Sequence, residues 1–188
     1  MDLRTAVLLV VDVQNGFVNE DTEHVVPAIQ DLAARWNQAG GTTIYSRYFN
    51  YPGSPFERLM NWRQLYNPPD TDIAPELALD AQRSTVIDKE TYSAFTDDLV
   101  SLVGRRGWTD IVVCGIDTDL CVLTTVFDVF GSGITPWVVT DCSASTGGLA
   151  VHDAALLVMG RGVGEERLVT ADELLTGISY GSVEPTEM

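Results

Sequence analysis

Lysine is almost missing from this chain: ten of its eleven basic residues are arginine, and Lys89 is the exception. Histidine is scarce as well, limited to His24 and His152, and a net charge of −16 leaves cations heavily outnumbered. That balance argues against nucleic-acid phosphates or an anionic membrane surface as partners, because both need clustered cations that displace counterions. Cysteine is confined to Cys114, Cys121 and Cys142, an odd number without disulfide-framework spacing, so free thiols and a cytoplasmic location are expected. Apolar runs fall short of the roughly 18 to 20 residues that cross a bilayer. The start Met1-Asp-Leu-Arg4 lacks a basic region followed by a cleavable apolar stretch.

What is present points to one domain over 1–188, long enough to bury a continuous core without metal or disulfide staples. Apolar runs recur at 6–11, 42–46, 85–88, 110–114, 136–140 and 167–169, and helical patterns fill 27–39, 97–106, 119–131, 151–160 and 171–176. Runs that are apolar without alternation are the mark of parallel strands covered on both faces, so a three-layer α/β architecture follows. The segment 48–75, rich in Pro, Asn, Arg and aromatics, is too long for a routine connection. It reads as a surface loop with a helix near 56–65, or as a functional excursion over the sheet.

In open parallel sheets the ligand crevice lies beyond the carboxyl ends of the strands. Three chemically complementary residues fall there: Asp12 after the first run, Lys89 after the third, and Cys121 after the fourth. Singly, each has a plain structural reading as a turn cap, a solvated cation or a small buried hydrophobe. Jointly they offer a nucleophile, a base to take its proton and a positive charge to steady the thiolate. Cys121 is expected in the first turn of the 119–131 helix, behind the N-cap candidates Asp117, Thr118 and Asp119. There the free N–H groups and the helix dipole are expected to lower the thiol pKa and to hold an oxyanion. Cys114, inside a strand, and Cys142, at the end of one, read as structural. The first strand is followed by Asp12-Val-Gln-Asn-Gly16, without the glycine fingerprint of dinucleotide sites, so a nicotinamide cofactor is disfavoured.

In order along the chain stand Asp12-Val-Gln-Asn-Gly-Phe17, Lys89-Glu-Thr-Tyr-Ser-Ala-Phe95 and Val112-Val-Cys-Gly-Ile-Asp-Thr-Asp-Leu-Cys-Val122. They are followed by Thr124, Thr125 and Asp128, then Val138-Val-Thr-Asp-Cys-Ser-Ala144 with His152 and Ala155. Over nearly its whole length the sequence resembles the isochorismatase-like cysteine hydrolases, which include nicotinamidases, N-carbamoyl amidases and isochorismatases. The resemblance implies a six-stranded, mainly parallel sheet of order 3-2-1-4-5-6 and a catalytic triad of Asp12, Lys89 and Cys121. That order sets Lys89 two strands from Asp12, roughly 9 to 10 Å of backbone, so a long side chain is needed. It also implies a cis peptide between Ile116 and Asp117, an oxyanion hole made by the backbone N–H groups of Asp117 and Cys121, no cofactor, and a homo-oligomer, dimer or larger. An acidic side chain at Asp117 departs from the small residue many relatives carry.

The activity so implied is hydrolysis of a small-molecule amide or related C–N bond through a Cys121 thioester. The alternatives are vinyl-ether hydrolysis with Asp12 as acid and no covalent intermediate, or a non-catalytic binding member. Nicotinamidases usually carry an Asp-x-His pair and a further histidine after the second strand; this chain has Arg47-Tyr-Phe-Asn50 there. No histidine-rich metal site is therefore expected, and His152 reads as a helix residue held by a local hydrogen bond. Position alone nominates Phe17, Arg47, Tyr48, Trp62 and Tyr92, with Phe56 beside them, as substrate contacts, Arg47 pairing with a substrate carboxylate.

Overall fold

The computed structural model describes residues 1–79 and 84–178. Six strands form one sheet: β1 (Ala6–Val11), β2 (Thr43–Tyr48), β3 (Ser84–Lys89), β4 (Asp110–Ile116), β5 (Thr135–Ala144) and β6 (Leu168–Val169). Their order is β3-β2-β1-β4-β5-β6 and every pairing is parallel, as the family resemblance implies. The helices are α1 (Val26–Gln38), α2 (Pro55–Met60), α3 (Asp97–Arg106), α4 (Leu123–Gly131), α5 (Leu149–Val163) and α6 (Ala171–Thr176).

The two-residue period of a strand divides the central sheet between two cores. On β1, Ala6, Leu8 and Val10 join Ile29, Leu32 and Trp36 of α1 on one face. Val7, Leu9 and Val11 join Leu99, Val126 and Met159 of α3, α4 and α5 on the other. Each such aliphatic side chain contributes about 1.5 to 3 kcal/mol by leaving water. This double burial is why β1 reads as an unbroken apolar run. Helix ends follow local chemistry. In α3 the Thr96 hydroxyl accepts from Leu99 N, Asp97 and Asp98 occupy the first turn, Arg105 and Arg106 the last, and Gly107 closes it at φ 69°.

Two departures from the sequence reading concern the site. Strand β5 runs on through Cys142 to Ala144, because its register against β4 shifts between Val113 and Gly115. The helix expected at 119–131 begins as a wide π turn over Thr118–Val122 and becomes α-helical only at Leu123. Between β1 and β4 the backbones approach closely at Gly115, φ 123°, where a Cβ would lie 2.1 Å from the Val11 carbonyl oxygen. None of the helices among the described residues is long and apolar enough to cross a membrane.

Candidate active site

Asp12 is the first residue past β1, and its φ of 51° turns the chain sharply off the sheet; aspartate tolerates this left-handed region better than most residues. Ser46 of β2 fixes the carboxylate: its hydroxyl donates to Asp12 Oδ1 at 2.6 Å and accepts from Asp12 N at 3.2 Å. Lys89 ends β3, two strands away, and its chain reaches beneath the Tyr48 ring, the ammonium lying 5.4 Å from the ring centroid. Lys89 Nζ stands 2.6 Å from Asp12 Oδ2, and both side chains are fully shielded from solvent. The ammonium also donates to the carbonyls of Thr91 at 2.8 Å and Tyr92 at 2.9 Å and to Cys121 Sγ at 3.5 Å. Burial acts to lower the Lys89 pKa, yet the negative Asp12 and the Cys121 sulfur outweigh it, and the net shift is upward. Lys89 is therefore a charged ammonium in a dry setting, made tolerable by an opposed charge and by carbonyl acceptors.

Cys121, 6% exposed, sits in the wide turn ahead of α4. Its carbonyl accepts from Thr125 Oγ1 at 2.6 Å, and that hydroxyl accepts from Ala94 N at 2.9 Å. The loop after Lys89 is thereby tied to the helix that carries the thiol. The peptide between Ile116 and Asp117 is cis, and the Asp117 carbonyl accepts from Val122 N at 3.0 Å. Burial, and then the Asp12 charge, push the Cys121 thiol upward, with Lys89 opposing. The lowered thiol pKa expected of a helix start is thus overturned: the helix begins as a π turn, and desolvation next to a carboxylate dominates. The sulfur thus lies against a carboxylate that opposes its ionisation and an ammonium that favours it.

Of these three residues Cys121 lines a cavity of about 220 Å³, and Asp12 and Lys89 lie buried behind it. Phe17, Tyr48, Phe56, Trp62 and Tyr92 line it in a chain of ring contacts. Phe17 stacks on Trp62 at 6.2 Å, and Phe56 meets Tyr92 edge-on at 4.9 Å and Tyr48 edge-on at 5.2 Å. Gly16, Asn19, Met60, Gln64, Asp117, Leu120 and Thr146 complete the lining. Asp117 is 6% exposed; it accepts from Thr146 N at 2.6 Å and Thr146 Oγ1 at 3.0 Å, and burial raises it to about 6.

Residues 6–166 match the sequence model of the isochorismatase domain, which is most of the chain. The chain belongs to the isochorismatase family. Members of this family are hydrolases. Among curated relatives, the isochorismatase family protein YwoC of Bacillus subtilis is 26% identical over 182 residues, covering 93% of this chain and 95% of its own. A cysteine hydrolase structure from Pseudomonas syringae superposes with a TM-score of 0.84 at 24% identity, over 94% of this chain and 93% of that one. N-carbamoylsarcosine amidase from Thermoplasma acidophilum gives a TM-score of 0.76 at 22% identity, over 89% and 97%.

Within this isochorismatase-family frame the structure brings together Asp12, Lys89 and Cys121, and puts Phe17, Tyr48, Phe56, Trp62 and Tyr92 around them. It does not bring Arg47. Strand alternation sends Ser46 and Tyr48 toward the site and Arg47 to the opposite face, where it pairs with Asp88 of β3 at 2.8 Å and lies over the Phe49 ring. Arg47 is thereby corrected from substrate contact to strand-edge ion pair. His152 Nδ1 meets Thr118 Oγ1 at 2.8 Å, so its partner is not local but comes from the turn ahead of α4, and His152 stays outside the cavity lining. Among the described residues no group of three or more His, Cys, Asp and Glu could hold a metal ion. Sequence reasoning missed Ser46, the Asp117 side chain, and Gln14. The Gln14 amide donates to the carbonyls of Tyr48 and Thr71 and accepts from Tyr48 N.

Proposed function

We propose that this isochorismatase-family hydrolase cleaves a small amide or related C–N bond through a thioester on Cys121, with Asp12, Lys89 and Cys121 as its catalytic triad. The observation that carries the reading is one contact set: an ammonium 2.6 Å from a carboxylate and 3.5 Å from a thiol, all buried. Asp12 takes the thiol proton as the sulfur attacks the substrate carbonyl carbon, forming the C–S bond. Lys89 steadies the negative charge as it moves from carboxylate to sulfur. The carbonyl oxygen becomes an oxyanion, held by the backbone N–H groups of Asp117 and Cys121. Asp12 returns the proton to nitrogen as the C–N bond breaks, releasing the amine. Asp12 then takes a proton from water, hydroxide adds to the thioester, and the acid leaves as the sulfur regains its proton.

The upward displacement of the thiol by burial supports a role for Asp12, since burial disfavours the free thiolate and a base in contact with the sulfur can take its proton during attack. Lys89→Arg replaces a compact ammonium with a planar group that the carbonyls of Thr91 and Tyr92 cannot accept at the same distances. Cys121→Ala is expected to abolish turnover, and Asp12→Asn and Lys89→Arg to lower kcat/KM by about 10²- to 10⁴-fold. Intact-protein mass spectrometry after mixing with amide substrates is expected to find an acyl adduct on Cys121. Turnover of a vinyl ether that needs Asp12 but leaves no adduct would replace this reading with acid catalysis. Near-normal activity in Cys121→Ala would sink it.

A further inference from the structure

The cavity lining holds an acidic residue that has no ion-pair partner among the described residues. Asp117 is a nearly buried carboxylate, and among the described residues no lysine, arginine or histidine forms an ion pair with it. A buried charge is ordinarily paired, because desolvation is otherwise costly. Thr146 occupies one lone-pair site on each oxygen; a carboxylate has about four, so acceptor capacity remains on a residue that lines the cavity. Lys89 is neutralised by Asp12, so its charge is not available to balance Asp117. Aromatic rings line the same cavity, and the Lys89 ammonium already lies 5.4 Å from the centroid of one of them, Tyr48. Aromatic faces attract cations, more strongly once water is excluded. The arginine at first expected to receive a substrate carboxylate points the other way.

We propose that the site selects a small amide bearing a positive charge, an ammonium or alkylammonium group, held between the Asp117 carboxylate and the aromatic wall while its carbonyl faces Cys121. This rests on the amidase reading for the carbonyl and adds the charge of the substrate. The upward shift of the Asp117 carboxyl agrees with a missing cationic partner, since burial is its first cause.

The test uses trimethylammonio-acetamide, its neutral carbon isostere 3,3-dimethylbutanamide and the anionic succinamate. Affinities are measured by calorimetry on Cys121→Ser, which cannot form a stable thioester. In parallel, the wild-type protein is scored for protection of Cys121 from iodoacetamide, so that the result does not hang on one variant folding. The cation is expected to bind about ten-fold or more tightly than its isostere, succinamate most weakly, and Asp117→Asn to erase the cation's advantage. Equal binding of cation and isostere, tighter binding of succinamate, or no binding and no protection by the cation at millimolar concentration overturns the proposal. Charge-selective binding without an acyl adduct in the wild-type protein removes the thioester and keeps the charge selectivity. Amide turnover blind to charge does the reverse.

Discussion

Asp117 and Cys121 are displaced in the same direction for the same reason. Burial lifts the Asp117 carboxyl from 3.8 to about 6, so between those values the folded protein holds a proton that the unfolded chain has released. Stability contributed by this group is thus largest at acid pH and falls as pH rises through that window, by up to about 3 kcal/mol. Asp117→Asn does not titrate. In urea melts its stability relative to wild type is expected to improve between about pH 4 and pH 7 by up to that amount; an unchanged difference would mean the carboxyl is not desolvated. The residues that carry charge or a nucleophile were legible from the sequence, because Asp12, Lys89 and Cys121 offer chemistry that ends of apolar runs rarely do. Ser46 and Gln14 were not: a hydroxyl and an amide become informative only when folding sets them against Asp12 and Tyr48. Arg47 misled by a single position, since parity along β2 decides its face.

At the scale of elements, the site depends on how closely β1 and β4 approach where both strands end. Val11 pairs with Gly115, and Gly115 at φ 123° leaves no room for a Cβ against the Val11 carbonyl. Gly115→Ala must therefore spread the strands that carry Asp12 and lead to Cys121. The expected loss is about 3 kcal/mol or more in denaturant unfolding, with activity falling further than the folded fraction; stability within about 0.5 kcal/mol of wild type would contradict the close approach. The inner strands were legible because double burial writes them as apolar runs. The 48–75 excursion was not, because its order comes from distant backbone. Asn15 N and Gly16 N donate to the carbonyls of Asp72 and Asp70, and Ala74 N donates to Val13. Only α2 within it has a local signal, Ser54 capping Glu57 N at 3.0 Å with Pro55 at the first helical position. The helix ends at Asn61, φ 53°, short of the 56–65 span read from the sequence, and that turn admits Trp62 to the cavity wall.

For the whole molecule, an acidic surface encloses a site whose one cation is spent internally on Asp12. A net charge of −16 adds a long-range field that concentrates small cations and repels anions, with a reach of about 8 to 10 Å at ordinary salt. The same scarcity of lysine that marks the sequence also makes the molecule report on itself. A lysine-specific endoprotease has one peptide bond to cut, after Lys89, and in the native protein that side chain is wholly enclosed. Cleavage into residues 1–89 and 90–188 therefore requires the ammonium to leave Asp12 and Cys121. Its rate at limiting protease is expected to follow the opening equilibrium of the site alone. A ligand that fills the cavity would slow the cut by the factor its binding confers, read on a gel with no label and no knowledge of the reaction.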